Sequence, residues 1–224
     1  MNVVYLLREG ASHTMTIKKW VYLFWTTLLI GGVVAVVVGF VQELIVGLDY
    51  GEEWALELLI STGLKLWAGV MYSVVAQLGF FAFLVLNFLL ISTFRNSRVY
   101  QAVLWMLLVF SFVEVIYLRH LFFAEEGESI IGYVWFPLFL LFISLLVAWW
   151  KSRATNFKAF ASTAFFMFAI TLIELLPALR ENNTASLWFM LIPLLACNTW
   201  QIMQLHRLIK PKASEPNRKS LARA

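Results

Sequence analysis

Residues 66–91 read LWAGVMYSVVAQLGFFAFLVLNFLLI, a stretch of twenty-six residues without Asp, Glu, Lys or Arg. At about 1.5 Å of rise per residue, this stretch would form a helix of about 39 Å. That length exceeds the ~30 Å thickness of the hydrocarbon core of a bilayer. The stretch is therefore predicted to be a transmembrane helix, and the other apolar stretches are interpreted in relation to it.

The composition of the whole chain agrees with a membrane protein. Of its 224 residues, 62% are hydrophobic and 13% are charged, whereas soluble domains average about 25% charged residues. One membrane domain accounts for this length, so no soluble catalytic domain is expected. The single cysteine, Cys197, excludes an intrachain disulfide. The first apolar run is too long for a signal peptide and is expected to be an uncleaved first helix.

The apolar pattern predicts an all-α, polytopic membrane bundle. A short amphipathic turn at the interface, with Trp54, Leu56 and Leu58, is expected before the second helix. The chain divides into an arm at 1–19, a membrane domain at 20–205 and a basic tail at 206–224. The six predicted transmembrane helices are about 20–45, 66–91, 99–118, 130–150, 159–179 and 185–205.

The distribution of Lys and Arg predicts the orientation. Six helices place both ends of the chain on one side, which then holds fourteen of the seventeen Lys and Arg residues. Only Lys65, Arg119 and Arg180 fall on the other side. Because Lys and Arg in short loops favour the cytoplasm, both termini are predicted to be cytoplasmic. The basic tail is expected to lie against anionic lipids of the bilayer, which attract each near-surface charge by about 1 kcal/mol.

Two glutamates, Glu114 and Glu174, lie inside apolar stretches. A charge at the centre of a membrane helix costs about 2.5–3.5 kcal/mol on insertion scales, so such residues usually have a partner or a function. Each lies ~15 residues beyond the start of its predicted helix, and therefore in the outer third of the bilayer. Together with Glu43, Arg119 and Arg180, they predict an outer polar cluster.

Two roles for this cluster are open at this stage. Its members could pair between helices and fix the helix register, or they could form a sensing or proton-responsive site. A metal site is not expected, because His120 is the only histidine predicted on the outer side.

Small residues predict close helix packing on two faces. Gly31, Ala35 and Gly39 repeat every four residues in the first helix, and the second helix presents Gly69, Ser73 and Ala76. Such patterns let a neighbouring helix approach closely. Packing within the chain and docking of a partner's helix are both compatible with them.

Four amide side chains are also predicted to lie in the membrane. Hydrogen bonds between membrane helices average about 0.6 kcal/mol, and amides are natural candidates for them. These candidates are Gln77, Asn87, Asn198 and Gln201.

The sequence lacks the motifs of several enzyme classes. It contains no H-E-x-x-H zinc motif, no G-x-S-x-G nucleophile elbow and no phosphate-binding G-x-x-x-x-G-K-[ST] loop. We therefore expect a protein that is not an enzyme and that uses no cofactor, metal or nucleic acid. A small transporter or channel, with Glu114 and Glu174 in its pathway, is the alternative.

Four stretches show a family resemblance. The segment QLGFFA at 77–82 resembles a motif of the KinB-signalling pathway activation proteins, the KbaA family of spore-forming bacteria. The segments WVYLFWTTLLIGG at 20–32, FFAEEG at 122–127 and PLLACN at 193–198 are similar as well. They occur in order from the first predicted helix to the sixth. The resemblance thus covers nearly the whole chain apart from its two ends.

This resemblance implies a six-helix protein of the bacterial inner (plasma) membrane without known enzymatic activity. Proteins of this family are required for a membrane sensor histidine kinase to feed the sporulation phosphorelay. The implied partner is therefore such a kinase, and the resemblance carries over no catalytic residues.

Overall fold

A computed structural model describes residues 17–47, 54–94, 96–124, 129–181 and 183–209. Of these, residues 206–209 are described by their backbone alone. Within these ranges all regular structure is helical, and six spans are long and apolar enough to cross a membrane. The predicted all-α class and number of spans are thus confirmed. Most of the predicted N-terminal arm, Arg95, the acidic loop at 125–128 and the tail from residue 210 lie outside the described residues.

The helices are labelled here in chain order. A 3-10 turn, Ile130–Tyr133, precedes the fourth span, and a short helix, α6 (Leu176–Glu181), separates the last two spans. The six spans are α1 (Ile17–Val46), α2 (Trp54–Thr93), α3 (Ser97–Phe123), α4 (Trp135–Ala154), α5 (Phe157–Glu174) and α7 (Thr184–Ile209).

Asparagine side chains fix the starts of three spans. At α5, the side chain of Asn156 accepts a hydrogen bond from the backbone N–H of Lys158. The side chain of Asn96 accepts a hydrogen bond from the backbone N–H of Arg98 at the start of α3. Asn183 accepts from the N–H groups of Ala185 and Ser186 at the start of α7. These bonds satisfy backbone donors that have no partner within the first helical turn.

The second span begins earlier than predicted. The sequence predicts a loop with a short amphipathic turn and a helix from Leu66, but α2 is continuous over 40 residues from Trp54. The segment before Leu66 contains no proline, and Gly63 is accommodated within the helix. Lys65, whose charge suggested a boundary, forms an ion pair with Glu43 of α1. The prediction of a separate turn at the interface is therefore wrong.

The fifth span is less regular than predicted. It contains an α-helix at Phe160–Phe165, a π-helix at Phe166–Ile170 and a further α-helical turn at Thr171–Glu174. Leu175 then interrupts the helix before α6 begins. Pro177 lacks the N–H that a continuous helix would use at this position, which favours the interruption. The predicted helix at 159–179 is thus divided at residue 175.

The spans form two groups that α5 joins. Helices α1, α2 and α7 pack on one another, while α3 and α4 pack mainly against α5. The most buried span, α5, also contacts α2 and α7. Its π-helical segment places Phe166 and Phe168 in the core, where the ring of Phe166 contacts those of Phe80 and Phe83 from α2.

The two faces of small residues lie inside the bundle. Gly31, Ala35 and Gly39 of α1 and Gly69, Ser73 and Ala76 of α2 are all buried. A Cβ atom added to Gly69 would lie 2.6 Å from the Cβ of Ala35 and 2.8 Å from the Cα of Gly32. The backbones of α1 and α2 therefore approach closely, and each face packs against the neighbouring helix of the same chain.

A third helix meets this contact at Cys197. The Sγ atom of Cys197 in α7 lies 3.6 Å from Oγ of Ser73 and 3.7 Å from the carbonyl oxygen of Thr27. The hydroxyl of Ser73 donates to the carbonyl of Gly69 at 2.8 Å. The small, polarisable thiol thus fills the junction of α1, α2 and α7.

We expect Gly69→Leu to destabilise the protein strongly. The added side chain has no space against α1, and overpacking of this kind costs about 1–3 kcal/mol, occasionally more. Gly63→Leu in the same helix is the matched control, because a Cβ atom at Gly63 meets nothing within 4 Å. Thermal unfolding in detergent measures both variants. Equal melting temperatures for the two would contradict the close approach of α1 and α2.

Candidate functional site

The buried carboxyl group of Glu174 is the centre of the candidate site. Glu174 is the last residue of α5, and only 5% of it is exposed. Its Oε2 atom accepts a hydrogen bond of 2.7 Å from Nδ2 of Asn198 in α7. Its Oε1 atom has no hydrogen-bond partner among the described residues. This buried carboxyl group thus has one oxygen atom that could still accept a hydrogen bond.

Asn198 connects this carboxyl group to a second residue of α5. Its Nδ2 atom also donates to Oγ1 of Thr171 at 2.9 Å, while its Oδ1 atom has no partner in the described part of the chain. Thr171, Glu174 and Asn198, which we call the Glu174 cluster, therefore tie α5 to α7. All three are buried.

The third wall of the Glu174 cluster is the backbone of α2 at Gly79. A Cβ atom at this position would overlap Oε1 of Glu174 and would lie 2.9 Å from Cγ2 of Ile170. Gly79 therefore leaves the space that the carboxyl group occupies. This gives a physical reason for the glycine in the segment QLGFFA.

Two further buried polar side chains are found at α7, one that belongs to this helix and one from α4 that contacts it. Neither amide atom of Gln201 has a hydrogen-bond partner among the described residues, and the residue is fully buried. Lys151, at the end of α4, donates from Nζ to the carbonyl oxygen of Ile202 at 2.7 Å. Lys151 lies one residue beyond the predicted helix at 130–150 and is one of the fourteen basic residues on the predicted cytoplasmic side, so the sequence did not predict this bond. Its position directly after an apolar run was the available signal.

The other predicted amides bridge neighbouring helices. Gln77 of α2 donates from Nε2 to the carbonyl of Phe24 in α1 at 3.2 Å. Asn87 of α2 accepts a hydrogen bond from the hydroxyl of Tyr100 in α3.

Glu43 lies in a separate polar contact between α1 and α2. Its carboxylate accepts a hydrogen bond of 2.8 Å from Ser61 and forms an ion pair with Lys65. The Lys65 ammonium also lies 4.0 Å from the ring centroid of Phe40. Pairing between helices is thus found at Glu43, but with Lys65, which the predicted cluster did not include.

Arg119 lies beside aromatic rings near the start of α4. Its guanidinium carbon is 5.8 Å from the ring centroid of Tyr133 and 5.6 Å from that of Phe136. It also lines a cavity of about 370 Å³ between the ends of α3, α4 and α7, which is shared with Trp135, Trp188 and other residues.

The two remaining members of the predicted cluster, Glu114 and Arg180, have exposed side chains. The five residues thus occupy distinct surroundings: Glu174 is buried beside Asn198, Glu43 pairs with Lys65, and Arg119 packs on aromatic rings. The glutamate that the structure surrounds most completely is Glu174.

The Glu174 cluster offers hydrogen-bonding groups and a carboxyl group. In the described part of the chain, no group of three or more His, Cys, Asp or Glu side chains could hold a metal ion. The geometry is that of a polar contact which fixes α5 against α7 and α2.

We expect Glu174→Ala and Asn198→Ala each to destabilise the protein, and to do so non-additively. Each substitution removes the same hydrogen bond, so the double variant should lose less than the sum of the single variants. Coupling between membrane helices averages about 0.6 kcal/mol and reaches about 1.7 kcal/mol. A double-mutant cycle from unfolding in detergent measures it. Ile173→Ala, at the exposed neighbour of Glu174, should show no coupling to Asn198→Ala.

Comparison with known proteins identifies the family. The family described as KbaA, KinB-signalling pathway activation in sporulation, matches residues 31–208. The KinB-signaling pathway activation protein of Bacillus subtilis (strain 168) is 35% identical over 189 residues, which cover 81% of this chain and 92% of that protein. No solved structure matches the chain. Because the family match extends from α1 into α7, the chain belongs to the KbaA family of sporulation signalling proteins.

Proposed function

We propose that this protein is a non-catalytic accessory protein of the cell membrane that activates the KinB sensor histidine kinase at the head of the sporulation phosphorelay. The observation that carries this proposal is the family match over residues 31–208, which includes the second half of α1 and the later spans up to Leu208. The 35% identical Bacillus relative is named as a KinB-signaling pathway activation protein. Activation is thus attributed to the membrane bundle itself.

A direct physical mechanism is contact between transmembrane helices. An accessory protein shifts a kinase between states only if it binds one state more tightly than the other, because equal affinity shifts nothing. The faces of Gly31 and Gly69 are buried within this chain. The kinase contact is therefore assigned to an outward-facing surface rather than to these faces.

The transport alternative receives less support from the geometry. A common pathway requires Glu114 and Glu174 to face the same space, whereas Glu114 is exposed and Glu174 is buried between helices. Activation through helix contact is therefore the function that we propose.

The proposed orientation has both termini in the cytoplasm. The support is the excess of Lys and Arg on that side, and among them Arg153 and Lys158 lie at the connection of α4 and α5. In this orientation the connection at Thr155 faces inward and the turn at Gly132 faces outward.

Cysteine labelling tests the orientation. In a Cys197→Ala background, Gly132→Cys should react with an impermeant maleimide added to intact cells, and Thr155→Cys should react only after lysis. Both positions are exposed in the structure, so accessibility to the protein surface is matched. The reverse pattern would contradict the proposed orientation.

Reconstitution tests the activation. We expect kinase autophosphorylation in proteoliposomes to rise at least several-fold when this protein is added at an equal amount. A membrane protein of similar size at the same protein-to-lipid ratio is the control. An unchanged rate with correctly inserted protein would contradict direct activation.

A further inference from the structure

Helix α3 presents one long side to the outside of the bundle. Its buried residues, Leu104, Leu108 and Val115, face the neighbouring helices. The opposite side is exposed, and its residues recur at intervals of three or four, as expected for one face of a helix. It is formed by Met106, Phe110, Val113, Tyr117 and Leu121. We call these residues, with Glu114, the outer face of α3.

Glu114 lies at the edge of this apolar face. It is seventeen residues beyond Ser97 and nine before Phe123, which corresponds to about 25 Å and 13 Å along the helix. A hydrocarbon core of ~30 Å centred on this 27-residue helix would include Glu114. Among the residues whose side chains the structure describes, Glu114 is the one charged residue that is exposed more than two helical turns from either end of a span. Ionisable residues in membranes almost always face a bundle interior, so this exposure is unusual.

The described part of the chain supplies no partner for the carboxylate of Glu114, because none of its residues forms a hydrogen bond or ion pair with it. The nearest cation along α3 is Arg119, five residues on, and its guanidinium lies over the rings of Tyr133 and Phe136. Residues five apart do not share a helix face. Lipid chains offer no hydrogen-bond donor at this depth.

We propose that the outer face of α3 is the surface that contacts the kinase, through a transmembrane helix that carries a basic or hydrogen-bond-donating side chain level with Glu114. This inference rests on the proposed function and names the contact surface that the function requires. A Lys, Arg or His on the partner would neutralise the carboxylate, and an Asn, Gln, Ser or Thr would donate to it. The apolar residues around Glu114 would pack against the same helix.

The charge of Glu114 favours a different protein over a second copy of this chain. A symmetric dimer through this face would bring two copies of the same surface together. The two carboxylates would then lie near each other in a medium of low dielectric constant, where like charges repel strongly. A partner with a donor at this depth satisfies the carboxylate without such repulsion.

Photo-crosslinking locates the contact. A photoreactive amino acid at Val113 or Tyr117 leaves Glu114 intact and should give a crosslink to the kinase in membranes that contain both full-length proteins. Val37 of α1 and Val85 of α2, which are similarly exposed, are the control positions and should give none. Crosslinks to a second copy of this chain, or to the kinase only from the control positions, would overturn the proposal.

Substitution of Glu114 tests the chemistry. Glu114→Leu should preserve or raise the melting temperature of the isolated protein, because leucine suits lipid, while lowering co-purification with the kinase at least tenfold. Glu114→Gln, which still accepts a hydrogen bond, should reduce it less. Normal co-purification of the Glu114→Leu variant would overturn the role of the carboxylate.

The two proposals fail in different ways. If the wild-type protein does not raise kinase autophosphorylation although position 113 crosslinks to the kinase, activation is wrong and the contact surface stands. If the wild-type protein activates the kinase while neither position 113 nor position 117 crosslinks to it, the contact surface is wrong and the proposed function stands.

Discussion

The close approach of α1 and α2 at Gly31 and Gly69 is the constraint on which the rest of the bundle depends. Helices in a bilayer gain little from the hydrophobic effect when they associate, so close van der Waals packing has to stabilise them. The absence of a side chain at Gly31 leaves space for Ser73 and for Cys197 of α7, and its absence at Gly69 lets the backbone of α1 approach. The next residue, Asn198, then faces α5 and reaches Glu174. Two consecutive residues of α7 thereby join the two groups of helices.

The two intramembrane glutamates illustrate how position along similar helices leads to different surroundings. Glu174 lies where α5 is surrounded by α2 and α7, and an amide and a glycine accommodate its carboxyl group. Glu114 lies on a helix that has neighbours on one side only, and its side chain is exposed at the edge of the opposite side. A buried carboxyl group can stabilise the fold through a hydrogen-bond donor within the chain. A carboxyl group that is exposed to lipid needs a donor or a cation from another molecule.

Much of the fold was predictable because the length of an apolar stretch and the charges beside it are local properties of the sequence. The stretch at 66–91 predicts a span by itself, and the number of spans follows from similar runs. The start of α2 was missed because Lys65 suggested a boundary, while its ion pair with Glu43 depends on tertiary structure. The sequence singled out Glu174, Asn198 and the two faces of small residues, and the structure places all of them inside the bundle. Their partners could not be read from spacing, since each contact joins residues that are far apart along the chain. The residue pattern likewise did not predict the π-helical segment of α5.

The length of α2 has a mechanical consequence. A helix of 40 residues is about 60 Å long, and at the ~40° upper end of observed tilts it still spans about 46 Å along the membrane normal. At least about a third of the helix therefore extends beyond the ~30 Å hydrocarbon core. Since the helix is continuous from Trp54 to Thr93, it contains no break at which one half could change its tilt without the other. A change of tilt by 10° displaces one end relative to the other by about 10 Å, so α2 is a stiff lever between the two sides of the membrane.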